Sequence, residues 1–168
     1  SAIVTIPLIG TQRTLLGCAV LIAISAALLL GWRAVVAVLV LAGLLAIPPG
    51  VVKAQPNLIH EEESVYQFIQ VVQQGAAHDL YLNEGHAIHS TWRPDTVLTG
   101  GPWDMSLTPP LLLGRPAERV AVLGNAGGTI ARAYGRFYPD VQVDGAEIDT
   151  AVTEVGRRYF GLAENPRH

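Results

Sequence analysis

The 168-residue sequence has few cysteines and few charged residues. Its single cysteine, Cys18, excludes a disulfide within the chain and, inside an apolar run, is typical of a small hydrophobic residue. Only 15% of the residues are charged, half are hydrophobic and the mean hydropathy is +0.35, which is too apolar for an ordinary soluble domain. The net charge of −3 gives no basic surface, so we expect no nucleic-acid partner.

Charge is almost absent from the N-terminal part of the sequence. Residues 14–52 contain one charged residue, Arg33, which separates two apolar runs. The first run, residues 14–32, would span the roughly 30 Å hydrocarbon core of a bilayer as a helix that rises about 1.5 Å per residue. The second run, residues 34–47, is shorter and ends at two prolines. The sequence therefore predicts a transmembrane helical hairpin in residues 1–53.

Charged residues beside the two runs indicate the orientation of this hairpin. Arg13 and Lys53 would lie on the side of the downstream residues, and Trp32 would lie at the opposite interface beside Arg33. The positive-inside rule then favours a soluble domain in the cytoplasm, anchored in the lipid bilayer of the inner cell membrane. A buried helical pair in a soluble protein is the alternative, but it would need more surrounding protein than this chain supplies. The apolar first residues and the lack of an initiator methionine suggest an internal fragment of a larger membrane protein.

Residues 54–114 have the mixed composition of a globular domain. Residues 55–64 contain a proline and three consecutive acids, which predicts a polar linker. Residues 65–74 are rich in β-formers, and residues 79–90 contain a turn in which Gly85 supplies a positive φ. We therefore expect a small antiparallel β unit after the linker.

Residues 115–168 contain the order of elements that is typical of a Rossmann-like unit. A continuous apolar strand at 119–123 is followed by a glycine-rich turn, a helix from Thr129 and a second strand that ends with Glu147 and Asp149. An acid in this place, on the order of 20 residues beyond the turn, accepts hydrogen bonds from ribose hydroxyls. Both acids are therefore candidate nucleoside ligands.

The glycine-rich turn is itself a candidate binding site, because glycines let the backbone approach a ligand and the following helix offers free N–H groups. A dinucleotide is disfavoured, since the G-x-G-x-x-G pattern would need glycines where Ala126 and Thr129 stand. An adenosyl ligand that carries a sulfonium and no phosphate suits the looser pattern better. The candidate residues of the turn are Gly124, Asn125, Ala126, Gly127 and Gly128.

A metal ion is not expected. Glu84, His86 and His89 crowd one predicted hairpin, but the two histidines would point to opposite faces of a regular strand. These residues are more typical of a hairpin surface or a substrate cleft.

Six segments in a common order give a more specific indication. Between about Glu63 and Leu162 they resemble the spermidine synthases (polyamine aminopropyltransferases), in particular the membrane-fused bacterial type. The fold implied is α/β, with a transmembrane helical hairpin, a small antiparallel β unit and the first part of a Rossmann-like domain of the class I methyltransferase type. The six segments are ESVYQFIQV, LYLNEGHAIHS, TGGPWD, VAVLGNAGG, GAEID and VTEVGRRYFGL.

The resemblance implies an enzyme of polyamine biosynthesis, which transfers an aminopropyl group from its co-substrate, decarboxylated S-adenosylmethionine, to a diamine such as putrescine. Gln67 would contact the co-substrate, Glu147 would hold its ribose, and the glycine-rich turn would face the adenosyl group. Asp104 would lie on the amine side. The expected partners are the small amine and the lipid bilayer, with a homo-oligomer left open.

Three departures from the family pattern leave alternatives open. The family's turn carries an aspartate where this sequence has Gly127, and the family's phenol on the amine side is missing from the segment Pro102-Trp103-Asp104. The catalytic aspartate, the expected general base, would lie beyond His168, so no catalytic residue is assigned within the chain. An S-adenosylmethionine-dependent methyltransferase and a non-catalytic membrane sensor of nucleosides or polyamines are the alternatives.

Overall fold

The structure is a computed structural model that separates into two compact units, Ser1–Ala54 and Gln55–His168. The predicted interfacial turn at Trp32 and the hairpin residue Glu84 lie outside the residues that the structure describes. The described residues are 2–31, 33–48, 50–83, 85–114 and 117–163.

The first unit is helical. Helix α1 (Ala2–Ile9) precedes α2 (Thr11–Leu30), and α3 (Arg33–Leu45) follows. Among the described residues, α2 is the one helix that is long and apolar enough to cross a membrane. Large apolar side chains along it, such as Leu21 and Leu28, are exposed, as side chains that face lipid would be. Helix α2 therefore has the length and composition that the first predicted crossing requires.

The second predicted crossing is too short in the structure. The apolar part of α3, Val35–Leu45, extends about 17 Å at the rise of an α-helix, well below the roughly 30 Å of a bilayer core. The helix ends ahead of Pro48, which cannot donate a helical hydrogen bond. The described residues thus contain one candidate membrane-spanning helix where a hairpin of two was predicted.

The second unit begins with a four-stranded antiparallel sheet in the order β1-β2-β3-β4. The predicted turn between the last two strands is confirmed, and Gly85 within it has a φ of 72°. The strands are β1 (Leu58–Glu63), β2 (Phe68–Gln74), β3 (Ala77–Leu82) and β4 (Ile88–Trp92).

The prediction of a linker at residues 55–64 is wrong over most of its length, because β1 lies within it. In the part of the chain that the structure describes, β1 is an edge strand whose one partner is β2. At an edge, the acids of β1 keep access to water while their backbone completes the sheet. Glu61 also accepts a hydrogen bond of 3.0 Å from the Gln70 side chain of β2. An acidic run can therefore be a strand where it borders a sheet.

The remainder of the second unit is an α/β segment that follows a short connection. The predicted order of strand, turn, helix and strand is confirmed, and the two strands pair in parallel, which gives the chain a mixed α/β fold. A complete Rossmann-like domain stays an expectation, since this sheet has two strands among the described residues. The elements are a 3-10 helix (Pro102–Leu107), α4 (Pro109–Leu112), β5 (Arg119–Leu123), α5 (Thr129–Phe137), β6 (Gln142–Ala146) and α6 (Thr150–Tyr159).

Two apolar clusters stabilise the second unit. In one, Leu80 of the antiparallel sheet packs with Val152 of α6 and with Phe160, which directly follows that helix. In the other, Val122 of β5 packs with Tyr134 of α5. Because the first cluster joins the antiparallel sheet to the α/β segment, the predicted boundary between residues 114 and 115 falls inside one compact unit.

Candidate functional site

The turn between β5 and α5 is fixed at both ends. The N–H groups of Gly124 and Asn125 donate to the carbonyl of Ala146, at the end of β6, over 2.9 and 3.1 Å. Gly124 and Gly128 have φ values of 77° and 80°, a left-handed conformation that costs little only for glycine. Gly128 then occupies the N-cap position of α5. Backbone geometry therefore explains the glycines at the two ends of the turn.

Glu147 follows β6 directly and contacts the same turn. Its Oε2 accepts a hydrogen bond of 2.9 Å from the N–H of Ala126, and its Oε1 accepts one of 3.1 Å from the N–H of Asp149. The carboxylate is thus fixed at the carboxyl ends of two parallel strands, which is where α/β folds bind ligands. Each carboxylate oxygen can accept a further hydrogen bond.

Gly127 is packed too tightly to carry a side chain. Its N–H donates to Ser90 Oγ at 2.8 Å, in a buried contact with β4. A Cβ at this position would lie 2.9 Å from Ser90 Cβ and 3.0 Å from Phe160 Cγ. The aspartate that the family resemblance implies at this place therefore has no room in this packing.

Strand β4 also contacts the beginning of α5. The N–H of Thr91 donates to the hydroxyl of Thr129 at 3.1 Å, and Thr91 Oγ1 donates to Asp79 Oδ1 of β3 at 2.8 Å. All three side chains are buried. The antiparallel sheet is consequently the platform on which the glycine-rich turn rests.

Ser64 connects two of the predicted site residues. Its hydroxyl lies 2.5 Å from Asp149 Oδ2, to which it donates, and it accepts from the N–H of Gln67 at 3.0 Å. Asp149 Oδ1 accepts from the N–H of Ala151 and so caps α6. Both oxygens of Asp149 therefore have partners within the fold, and the residue is only 2% exposed. Its carboxylate holds the backbone of Gln67 near the end of β6.

Three of the predicted residues, Asn125, Gly128 and Glu147, line one cavity of about 360 Å³, which we call the turn cavity. Arg132 of α5 and Leu162 lie on the same wall. The Oδ1 of Asn125 is buried and accepts no hydrogen bond from the described part of the chain. A carboxylate, an amide oxygen and an apolar side chain are suited to a ligand with hydroxyls and a flat ring. The predicted residues outside this wall are Gln67, Asp104, Gly124, Ala126, Gly127 and Asp149.

Asp104 lies in the 3-10 helix and organises the loop before it. Its carboxylate accepts hydrogen bonds of 2.8 to 3.1 Å from the N–H groups of Thr99 and Gly100. Burial raises the pKa of this carboxyl, but these hydrogen bonds and the charge of Arg93 outweigh it and hold the pKa of Asp104 below its ordinary value. The adjacent Trp103 lines a separate cavity of about 820 Å³ beside the antiparallel sheet.

Two polar residues that organise the site carry no recognisable signal in the sequence. Ser64 and Ser90 are single serines, and only the fold brings them to Asp149 and Gly127. Arg132 offered a cue, because it stands in the first turn of the helix that follows the glycines, where a side chain can reach a ligand.

Comparison with known proteins confirms the family resemblance. The "Probable polyamine aminopropyl transferase" of Bifidobacterium longum (strain NCC 2705) is 33% identical over 106 residues, which is 63% of this chain and 24% of that protein. The "Polyamine aminopropyltransferase" of Vibrio vulnificus (strain CMCP6) is 29% identical over 114 residues, 63% of this chain and 37% of that protein. No model of a protein family matches the chain. The chain is thus related to the polyamine aminopropyltransferases, and it spans well under half the length of these relatives.

Proposed function

We propose that this chain is part of a membrane-anchored aminopropyltransferase that binds decarboxylated S-adenosylmethionine in the turn cavity. The observation that carries the proposal is the carboxylate of Glu147, held against the turn by the N–H of Ala126 at 2.9 Å. The names of the two relatives support the same class of reaction. Helix α2 would anchor the protein in the inner membrane, with residues 55–168 in the cytoplasm.

The polar residues predicted at the site have roles that their chemistry suits, both inside the turn cavity and outside it. Glu147 would accept hydrogen bonds from the ribose hydroxyls on the lone pairs that its backbone donors leave. The buried Oδ1 of Asn125 would accept from an amino or hydroxyl group of the ligand, which would give this oxygen the donor it lacks among the described residues. Gln67 would contact the aliphatic end of the ligand, with Asp149 as a positioning residue. Asp104 would contribute to the binding site of the amine substrate by fixing the loop that contains Thr99 and Gly100.

The proposed reaction needs orientation more than activation, because the sulfonium is already a good leaving group. The lone pair of the amine nitrogen forms a bond to the aminopropyl carbon while the carbon–sulfur bond breaks. The electrons of that bond leave with sulfur, which becomes a neutral thioether, and the surplus proton on nitrogen passes to a general base. We assign this base to no described residue of the chain.

An S-adenosylmethionine-dependent methyltransferase is the second candidate, and Gly127 favours it. The tight contacts of Gly127 with Ser90 and Phe160 leave no space for a carboxylate that could bind the amino end of the decarboxylated ligand. Without that carboxylate, one source of preference for the decarboxylated nucleoside is missing.

Parallel calorimetric titrations of the full chain with decarboxylated and ordinary S-adenosylmethionine test the proposal. We expect the decarboxylated ligand to bind more tightly and Glu147→Gln to weaken it about tenfold or more, since a charge-assisted hydrogen bond is lost. Glu154→Gln, which removes an exposed carboxylate on α6, is the matched control and should bind normally. Preference for the ordinary ligand would favour the methyltransferase, and binding of neither would contradict both candidates.

A further inference from the structure

Arg132 also lines a second cavity, of about 470 Å³, between α5 and the segment that follows β4. Two further arginines, Arg93 and Arg136, line the same cavity, together with Trp92 and the hydroxyl-bearing Thr96. We call it the arginine cavity. Its wall has one carboxylate, Asp95, against three guanidinium groups, in a chain whose net charge is −3.

The guanidinium of Arg132 is held in place by a stack of rings. The imidazole of His78 stacks on Trp92 with ring centroids 5.2 Å apart and an interplanar angle of 25°. The guanidinium carbon of Arg132 lies 5.9 Å from the centroid of the same indole. This cation–π contact orients the charged group before any ligand arrives.

Arg132 has no anionic partner in the described part of the chain. Its Nε is buried and donates to no acceptor there, and burial holds the pKa of its guanidinium below the ordinary value. The ion pairs of His60 with Glu62, Arg119 with Asp144 and Arg157 with Glu154 lie elsewhere among the described residues, and neither Arg93 nor Arg136 takes part in them. A buried donor without an acceptor is costly, so a ligand that supplies one would be stabilised.

We propose that the arginine cavity binds a phosphate group, with Arg132 as the anchoring donor and Arg93 and Arg136 at its rim. Guanidinium groups match the oxygens of phosphate with paired hydrogen bonds, and three of them offer more donors than one carboxylate can accept. The phosphate could belong to a soluble phosphorylated compound or to a phospholipid head group, which share this chemistry. The site is separate from the proposed nucleoside site in its ligand and in most of its residues.

The test uses the full chain in micelles of dodecyl maltoside, which carries no phosphate, titrated calorimetrically with inorganic phosphate in the absence of any adenosyl compound. We expect saturable binding that Arg132→Gln weakens about tenfold or more, as expected for loss of a charge-assisted hydrogen bond. Arg136→Gln, at an exposed position, should weaken phosphate binding by a smaller factor. Arg158→Gln, which removes the same charge outside this cavity, should leave it unchanged.

A second arm distinguishes the two sources of phosphate. If a lipid head group occupies the arginine cavity, phosphatidylglycerol in nanodiscs should compete with inorganic phosphate for binding to the parent chain. In Arg136→Gln this competition should be lost. Undiminished phosphate binding in these nanodiscs would identify a soluble ligand. Absence of saturable binding in both arms, or an equal loss in Arg158→Gln, would overturn the proposal. Because no adenosyl ligand is present, this result does not depend on the proposed transferase function.

Discussion

At residue 127, one methyl group would alter the contact between the glycine-rich turn and the antiparallel sheet. We expect Gly127→Ala to lower the free energy of unfolding by about 1–3 kcal/mol, because its Cβ would meet Ser90 at 2.9 Å and Phe160 at 3.0 Å. Thermal unfolding followed by near-ultraviolet circular dichroism measures the change. Ala126→Gly is the matched control in the same turn. Ala126 has a φ of 46°, which glycine adopts at little cost, so this variant should not show the loss of stability expected of Gly127→Ala. Equal stability of Gly127→Ala and the parent chain would contradict this packing.

The carboxyl group of Asp104 should make the free energy of unfolding depend on pH in the acidic range. Burial opposes but does not cancel the effect of its hydrogen bonds, so its pKa in the folded state is below the unfolded value of about 3.9. A group with a lowered folded pKa contributes stability that is fully present above the unfolded pKa and is lost as pH falls through the folded one. We therefore expect Asp104→Asn to flatten the loss of stability below about pH 4, measured by urea unfolding at a series of pH values. If the loss of stability below about pH 4 were the same in Asp104→Asn and the parent chain, the hydrogen bonds from Thr99 and Gly100 would not contribute to the free energy of unfolding.

Residues with a role in local backbone geometry could be predicted from the sequence, and residues whose partners are distant could not. The places of the turn glycines and of Glu147 follow from the order of a strand, a turn, a helix and a strand, whereas their contacts with a ligand stay a prediction. Ser64 lies 85 positions from Asp149, and Ser90 lies 37 positions from Gly127. No periodicity or spacing rule connects residues that far apart, so these contacts required the structure.

Between elements, Ser64 joins the segment after β1 to the first turn of α6. We expect Ser64→Ala to cost about 1–3 kcal/mol of unfolding free energy, because the buried carboxylate of Asp149 loses a donor at 2.5 Å. Chemical denaturation of the variant and the parent chain measures this difference in unfolding free energy. Thr108→Ala removes an exposed hydroxyl that donates to a local carbonyl, and this control should change stability little. A similar loss in both variants would indicate that the contact between Ser64 and Asp149 is weak.

Elements with a strong apolar pattern were predictable, and the edge strand β1 was not. β2 and β5 are apolar enough to be recognised alone, whereas β1 has the sequence LIHEEE, in which half the residues are acidic. Its pairing with β2 supplies the stability that its own composition lacks. A linker and a hydrated edge strand share one composition, and only the neighbouring strand distinguishes them.

For the molecule as a whole, helix α2 should determine whether the chain remains with the membrane. An arginine at the centre of a membrane helix costs about 2.5–3.5 kcal/mol of insertion free energy, so Leu21→Arg should move protein from the membrane pellet to the supernatant. Alkaline extraction of membranes measures this fraction. Leu112→Arg places the same charge at an exposed leucine outside α2 and should not alter it. Retention of Leu21→Arg in the pellet would contradict a membrane crossing by α2.

The platform formed by β4 also determines when the site can form during folding. Each strand of the antiparallel sheet pairs with its neighbour in sequence, whereas the bonds from β4 to Gly127 and Thr129 close segments of 37 and 38 residues. Local pairings form faster than distant ones, so we expect the sheet to form early and the glycine-rich turn to settle on it late. A ligand of the turn would then stabilise contacts made after the rate-limiting step, and it should prolong the lifetime of the native state while leaving the folding rate almost unchanged.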